Sequence, residues 1–289
     1  MLFRSAWAAA IAASILQLPS FHSEARLVVL HVSVRNSRGE VVTNLPRDAF
    51  SVYENGKQQP VRVFRRDDMP VSVGLLIDNS GSMRSIRATV ESAALTFARE
   101  SNPEDELFVM NFADKPELDV PFTSDPAVLA RGIARVDAIG GTAMRDAIQD
   151  AERYMREHAT RDRRALVIVT DGNDNESTVS LDSITQAAQQ RDVVIYAIGL
   201  FAHAETAKAA HTALDHLTER SGGFAYYPQT ADRVGEVAQD VAHQIRNQYA
   251  LGYSPLNQAL DGSYRSIQVK VSGRERLYPR TRAGYLAVP

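Results

Sequence analysis

The sequence predicts an α/β protein, with a doubly wound, mainly parallel sheet covered by helices and a smaller β-sandwich module beside it. Three observations predict this class. From about residue 71 to 247, apolar runs of strand length alternate with amphipathic segments of helix length, the pattern of βαβ units. On both sides of this region, apolar and polar residues alternate instead, as they do in antiparallel strands. The length of 289 residues suits one large domain and one small one.

The chain opens with a segment typical of an export signal, residues 1–25. Arg4 supplies the positive charge, and the stretch from Ser5 to Leu18 is uncharged and mostly apolar. Ser23 and Ala25 are small residues at the −3 and −1 positions of a cleavage site. The apolar stretch is shorter than the roughly 20 residues of a membrane span. We therefore expect an exported protein, periplasmic or secreted, with no membrane span in the mature chain; a buried N-terminal helix and an uncleaved anchor are the alternatives.

Composition excludes several functions. The chain contains no cysteine, which rules out disulfides, a catalytic thiol, thiolate zinc sites and iron–sulfur clusters. The formal net charge is −3, with both signs interspersed, and basic residues do not cluster with aromatic ones. We therefore expect no nucleic-acid partner.

The two flanking segments have the signals of antiparallel strands. Residues 26–68 form the N-terminal segment, and Asn55-Gly56 within it is a strong hairpin turn signal. Residues 248–289 form the C-terminal segment, with a turn at Asp261-Gly262. Since neither segment has many strands, we expect them to pair into one sandwich that packs beside the α/β domain at 70–247.

Within the α/β region, local sequence signals predict each helix and strand. Ile86, Val90 and Phe97 lie on one stripe of a helix, and Asp125 before Pro126 is a helix start signal. Undivided apolar runs predict strands that helices cover on both faces. The predicted order is strand 71–77, helix 85–101, strand 106–112, helix 125–136, helix 143–158, strand 164–170, helix 180–190, strand 193–200, helix 204–220, strand 224–228 and helix 231–247.

Polar residues mark the ends of two of these strands. Asp78 follows the first strand and Asp171 follows the strand at 164–170. In an open α/β sheet, ligands bind at the carboxyl ends of parallel strands. Ser80 and Ser82 alternate with Asp78, so in an extended loop the three side chains point to one side. Thr142 lies in the glycine turn that precedes the next helix, and it completes the candidate set.

These side chains favour a particular class of ligand. Hydroxyl and carboxylate oxygens, without imidazole or thiolate, suit a hard divalent cation such as Mg²⁺, Ca²⁺ or Mn²⁺. If the two acids act partly through water, the ion keeps much of its positive charge and an open coordination position. Such an ion attracts an external carboxylate.

Three motifs in order, "DNSGSM", "GGTAMRDAI" and "VIVTDGNDN", resemble the metal-ion-dependent adhesion site of von Willebrand factor A domains. The resemblance covers roughly residues 71–247, and the flanks resemble those of exported bacterial proteins of the same type. It implies a Rossmann-like fold and adhesion or scaffolding, in which an Asp or Glu of a protein partner binds a divalent cation, Mg²⁺ foremost. The implied metal residues are Asp78, Ser80, Ser82, Thr142 and Asp171.

Other interpretations fit the sequence less well. An EF-hand loop starting at Asp171 would have Glu176 in place of the required glycine and Asp182 in place of the final glutamate. Asp174 and Glu176 are therefore expected to be solvated charges at the rim. A phosphotransferase would need a second acid where Ser80 stands. We therefore expect no enzyme; the alternatives are a metal-dependent phosphohydrolase, or a structural envelope protein whose site is vestigial.

Overall fold

The computed structural model of the chain describes residues 26–66, 68–134, 138–171, 174–201, 204–273 and 275–288, without the side chains of 204–206 and 231. The export signal predicted for residues 1–25 lies outside the described residues.

Strands and helices alternate in the middle of the described chain, and strands alone occupy both ends. The strands are β1 (Val28–Asn36), β2 (Phe50–Glu54), β3 (Lys57–Gln59), β4 (Val61–Arg65), β5 (Val71–Asp78), β6 (Glu106–Phe112), β7 (Pro116–Thr123), β8 (Arg163–Thr170), β9 (Val193–Gly199), β10 (Ala225–Tyr226), β11 (Tyr249–Tyr253), β12 (Tyr264–Val271), β13 (Leu277–Arg280) and β14 (Gly284–Leu286). The α-helices are α1 (Arg87–Glu100), α2 (Pro126–Ile133), α3 (Met144–His158), α4 (Leu181–Arg191), α5 (Ala204–Ser221) and α6 (Val234–Arg246). Short 3-10 helices lie at Arg47–Ala49, Gly81–Ser85 and Ala231–Arg233.

The central sheet has the strand order β10-β9-β8-β5-β6-β7. All neighbouring strands are parallel except β7, which runs antiparallel to β6. Helices α1, α2 and α6 cover one face, and α3, α4 and α5 cover the other, each face with its own hydrophobic core. Every residue of β5 is buried, as expected of a strand that is covered on both sides. The predicted α/β class is confirmed.

Strand β7 was missed in the sequence because its pattern is weak. It contains Pro116 and Pro121, and a proline cannot donate a backbone hydrogen bond to a neighbouring strand. Its position at the edge of the sheet tolerates both prolines, since among the described residues one side of the strand has no partner strand.

Two four-stranded sheets form a β-sandwich from both ends of the chain. Their strand orders are β13-β1-β11-β4 and β14-β12-β2-β3, so each sheet pairs strands that precede the α/β region with strands that follow it. The core between the sheets buries aliphatic residues together with Tyr249, Tyr253 and Tyr285. The buried carboxylate of Glu54 accepts hydrogen bonds from the hydroxyls of Tyr253 and Tyr285 at 2.7 and 2.8 Å. Both ends of the described chain therefore share one core.

The sandwich is attached at the amino ends of the parallel strands. Arg163, the first residue of β8, donates to the carbonyl of Gln248 at 3.0 Å, and Arg282 approaches Asp192, just before β9, at 3.4 Å. The opposite, carboxyl edge of the sheet therefore faces away from these contacts. None of the helices in the described ranges has both the length and the apolar character of a membrane span.

Candidate metal centre

Two adjacent strands place the predicted acids side by side. Asp78 is the last residue of β5, and Asp171 directly follows the last residue of β8. These strands are parallel neighbours, with Ile77 paired to Val169. The carboxyl ends of both strands therefore meet at one edge of the sheet, where the sequence predicted a site.

Asp78 is the most buried member of the candidate set. Its side chain is inaccessible to solvent, its Oδ1 accepts the backbone N–H of Ser80 at 2.9 Å, and its Oδ2 accepts the hydroxyl of Thr170 at 2.6 Å. Burial raises the pKa of Asp78, the charge of Asp171 raises this pKa further, and the hydrogen bonds from Ser80 and Thr170 oppose the increase. Both carboxylate oxygens are thus already engaged, one of them in shaping the turn that follows β5.

A chain of side-chain hydrogen bonds crosses the edge of the sheet from this turn. The Oγ atoms of Ser80 and Ser82 are 3.1 Å apart, and Ser82 donates to Oδ1 of Asp171 at 2.7 Å. Ser80 is buried, whereas Ser82 is exposed and Asp171 is partly buried. Burial raises the pKa of Asp171, and the bond from Ser82 opposes this increase. Asp78, Ser80, Ser82 and Asp171 therefore form one connected group.

Thr142 reaches the same edge on a separate loop. The carbonyl of Gly140 accepts the N–H of Gly81 at 3.2 Å, which joins the loop of Thr142 to the turn between the two serines. On its other side Thr142 is held by Asn175, whose Oδ1 accepts the Thr142 N–H at 2.7 Å and whose N–H donates to the Thr142 carbonyl at 3.0 Å. Thr142 itself is buried, with 5% of its surface exposed. All five predicted residues thus lie at one edge of the sheet.

The prediction that Asp174 is a solvated rim charge was wrong. Its side chain is only 8% exposed, and it pairs with Arg145 at 3.1 Å. It also accepts the backbone N–H of Arg145 and the hydroxyl of Ser177, both at 2.7 Å. The first turn of a helix has free N–H groups that favour a carboxylate, and α3 begins at Met144, so Asp174 is the acid that fills this role. Glu176 is exposed, as expected.

The donor set suits a hard cation. Three hydroxyls and two carboxylates gather here, and these oxygens are the ligands of Mg²⁺, Ca²⁺ or Mn²⁺. A positive ion would also offset the close approach of two carboxylates whose pKa values burial has raised. Among the described residues, no group of three or more Asp, Glu or His side chains is placed to hold a metal ion.

A cavity adjoins the group on the side of β6. Its volume is about 300 Å³, and Asn79 and Asp114 are among its lining residues. Asp114 accepts the N–H of Gly141 at 2.5 Å, which fixes the loop of Thr142 from this side. No local sequence pattern indicates Asp114, Asn175 or Thr170 as supporting residues, because each acts through a contact with a distant segment.

Comparison with known proteins places residues 73–173 within the family model described as the von Willebrand factor type A domain. A solved structure described as von Willebrand factor type A, from Catenulispora acidiphila, aligns with 92% of this chain and 73% of its own length, at 13% identity and a TM-score of 0.53. Proximal thread matrix protein 1 from the mussel byssus, with a zinc-occupied MIDAS motif (metal-ion-dependent adhesion site), aligns with 67% of this chain and 50% of its own, at 18% identity and a TM-score of 0.53.

A third structure, a D319A mutant of the PilB minor pilin from Streptococcus sanguinis, aligns with 66% of this chain and 64% of its own, at 10% identity and a TM-score of 0.52. At these identities the structures share a fold with this chain. The alignment spans about half the length of the mussel byssus structures. No curated protein sequence matches the chain.

Proposed function

From the premise that this chain contains a von Willebrand factor type A domain, we propose that it is a metal-ion-dependent binding protein, in which a divalent cation at the carboxyl edge of the central sheet captures a carboxylate of a protein partner. The observation that carries the proposal is the hydrogen-bonded chain from Ser80 through Ser82 to Asp171.

Each residue has a proposed part in holding the ion. The hydroxyls of Ser80, Ser82 and Thr142 supply neutral oxygens. Asp78, whose oxygens each accept one hydrogen bond, binds directly or through water and attracts the ion by its charge. Asp171 binds directly or through water, and it keeps Ser82 oriented by accepting a hydrogen bond from its hydroxyl.

The charge of this set explains why an external acid would bind. Of the five proposed ligands only two are carboxylates, and the buried Asp78 already accepts two hydrogen bonds. The ion therefore keeps a positive field toward solvent, and an Asp or Glu of a partner gains both coordination and Coulomb energy. Mg²⁺ is the proposed ion because every donor is a hard oxygen; Ca²⁺ and Mn²⁺ have the same preference.

We assign this binding to adhesion or scaffolding in the periplasm or outside the cell, consistent with the export signal predicted for residues 1–25. Binding is favoured over catalysis because Ser80 stands where a phosphohydrolase that attacks through Asp78 would place its general acid. A serine hydroxyl is a much weaker acid than a carboxylic acid and cannot donate a proton as readily.

The first test measures the affinity of the full chain for Mn²⁺, used as a spectroscopic stand-in for Mg²⁺. Ser82→Ala removes both a proposed ligand and the group that orients Asp171, so the affinity should fall by about tenfold or more. Ser85→Ala is the matched control, since Ser85 is an exposed serine of the same 3-10 turn. Equal Mn²⁺ affinity in Ser82→Ala and the unmodified chain would refute the site.

The second measurement tests carboxylate capture. A displayed library of nonapeptides, random except for a central Asp or Asn, is bound to the full chain in millimolar Mg²⁺ and eluted with chelator. Peptides with a central Asp should dominate the eluate, and Ser82→Ala should abolish the enrichment. An eluate with equal shares of Asp and Asn would contradict the proposed function even if the metal binds.

A further inference from the structure

We propose that Ile139 contacts an apolar side chain of the partner next to the candidate metal centre. The partner then carries an aliphatic or aromatic residue one or two positions from its metal-bound acid. The inference rests on the proposed function and names the chemistry of the partner.

The first observation is the exposure of Ile139. Its relative accessibility is 67%, the highest among the exposed large hydrophobic residues of the described chain. Isolated apolar residues are common on protein surfaces, so exposure alone decides nothing. The place of Ile139 is informative because the next residue, Gly140, accepts the N–H of Gly81 at 3.2 Å. Gly81 lies between Ser80 and Ser82, so Ile139 is next in sequence to a residue that contacts the turn of the candidate ligands.

The second observation is the backbone that presents the side chain. Ala138 has a φ of 39° and Gly140 a φ of 91°, so both residues flanking Ile139 are in the left-handed region. Alanine rarely adopts this conformation because its Cβ crowds the backbone, and such strained residues concentrate at functional sites. Ala138 itself is 2% exposed. The loop thus buries its small residue and turns its large apolar one outward, the reverse of what burial of apolar surface favours.

The strained conformation is fixed by contacts with the metal turn. The N–H of Ala138 donates to Oδ1 of Asn79 at 3.3 Å, and its carbonyl accepts Nη2 of Arg84 at 3.0 Å. Asn79 lies between Asp78 and Ser80, so the loop that carries Ile139 is held by the same turn that carries the candidate ligands. A side chain on a fixed loop loses little conformational freedom when a partner covers it, which increases the free energy that its burial contributes.

Charges around Ile139 complete the pattern of an interaction surface. Arg84 is exposed on one side of the loop, and Asp114, which accepts the Gly141 N–H at 2.5 Å, is exposed on the other. An apolar centre with a polar rim is the usual arrangement of a binding patch. A partner segment that places its carboxylate on the ion brings the adjacent side chain over Ile139. An apolar side chain there buries surface of both molecules, whereas a charged one would be desolvated without a partner.

The test uses the displayed nonapeptides in which the centre is Asp or Asn and the other positions are random. The unmodified chain, Ile139→Ser and Leu256→Ser are each used for selection in millimolar Mg²⁺ with elution by chelator. Leu256 is the matched control because it is 65% exposed and lies just beyond β11, in the sandwich. Mn²⁺ affinity is measured for all three chains to show that the metal centre and the fold are intact.

We expect the unmodified chain and Leu256→Ser to enrich apolar residues next to the central Asp by about fivefold over the input library, as partial burial of one aliphatic side chain predicts. Ile139→Ser should keep its Mn²⁺ affinity and its preference for Asp over Asn, but lose the preference for apolar neighbours. Apolar enrichment that persists in Ile139→Ser, or that is absent from the unmodified chain while Asp is still selected, overturns this inference and leaves the proposed function standing. If the unmodified chain shows no chelator-sensitive selection for Asp over Asn, both this inference and the proposed function are overturned.

Discussion

Asn175 makes two hydrogen bonds to the backbone of Thr142. Its side-chain Oδ1 accepts the Thr142 N–H at 2.7 Å, and its own backbone N–H donates to the Thr142 carbonyl at 3.0 Å. Asn175→Ala removes the side-chain acceptor, so the loop of Thr142 should loosen and the Mn²⁺ affinity of the full chain should fall by about tenfold. Asn175→Asp keeps an oxygen in place and should bind Mn²⁺ at least as tightly as the unmodified chain. Equal losses in both variants would show that the amide is required for the fold rather than for positioning Thr142.

The predicted residues and the missed ones differ in how their positions are set. Asp78 and Asp171 follow apolar strands directly, so their places at the edge of the sheet could be predicted from local sequence. Asn175 acts on a residue 33 positions away, and Ile139 is turned outward by a left-handed Ala138. Neither feature has a local signal, because both depend on how separate loops meet in the folded chain.

At the scale of the helix, α3 contains a buried acid that should make stability depend on pH. The side chain of Glu152 is inaccessible, and it accepts Nη1 of Arg191 at 2.8 Å. Burial raises the pKa of Glu152 to about 8, and the charge and hydrogen bond of Arg191 oppose this increase. In the folded chain the acid therefore keeps its proton over a pH range in which the unfolded chain, with its ordinary glutamate pKa, has lost it.

The sign of the effect follows from this difference in protons bound. The folded state binds more protons between the ordinary pKa and about 8, so stability should fall as pH rises through this window, by up to about 1.4 kcal/mol per pH unit. Urea unfolding at several pH values should show a flatter dependence for Glu152→Gln than for the unmodified chain. Glu157→Gln, half-exposed on the same helix, is the control and should leave the slope unchanged. Parallel curves for Glu152→Gln and the unmodified chain would contradict the raised pKa.

The secondary structure elements also show where sequence patterns stop being informative. The long parallel strands could be predicted because burial on both faces leaves undivided apolar runs, as in β5. The edge strand β7 could not, since one unpaired side permits two prolines. The pairing of β1 with β11 joins residues more than two hundred positions apart. Alternation of polar and apolar residues predicts that such strands exist, and it does not predict which strand pairs with which.

Over the whole molecule, one of the connections between the α/β domain and the sandwich is very short. Helix α6 ends at Arg246, and β11 begins at Tyr249 as an interior strand between β1 and β4. Gln248 lies between them, is 5% exposed, and donates through Nε2 to the hydroxyl of Tyr196 at 3.0 Å and to Oγ of Ser33 at 3.2 Å. These two partners belong to the central sheet and to the sandwich, so one side chain bridges both cores.

This arrangement predicts that the two parts unfold together. Native-state hydrogen exchange should give the amides of β8 and β11 the same opening free energy, because neither core keeps its buried surface when the other opens. Gln248→Ala leaves two buried hydroxyls without this partner and should lower both values by about 2 kcal/mol, whereas Gln258→Ala, exposed in the sandwich, should change neither. If β11 opened at a lower free energy than β8, the sandwich would be an independent unit.

Mg²⁺ binding distinguishes the two cases. If the sandwich is independent, a ligand at the carboxyl edge of the sheet stabilises the α/β domain without protecting the sandwich. If the two cores are coupled, Mg²⁺ binding raises the opening free energies of β8 and β11 equally.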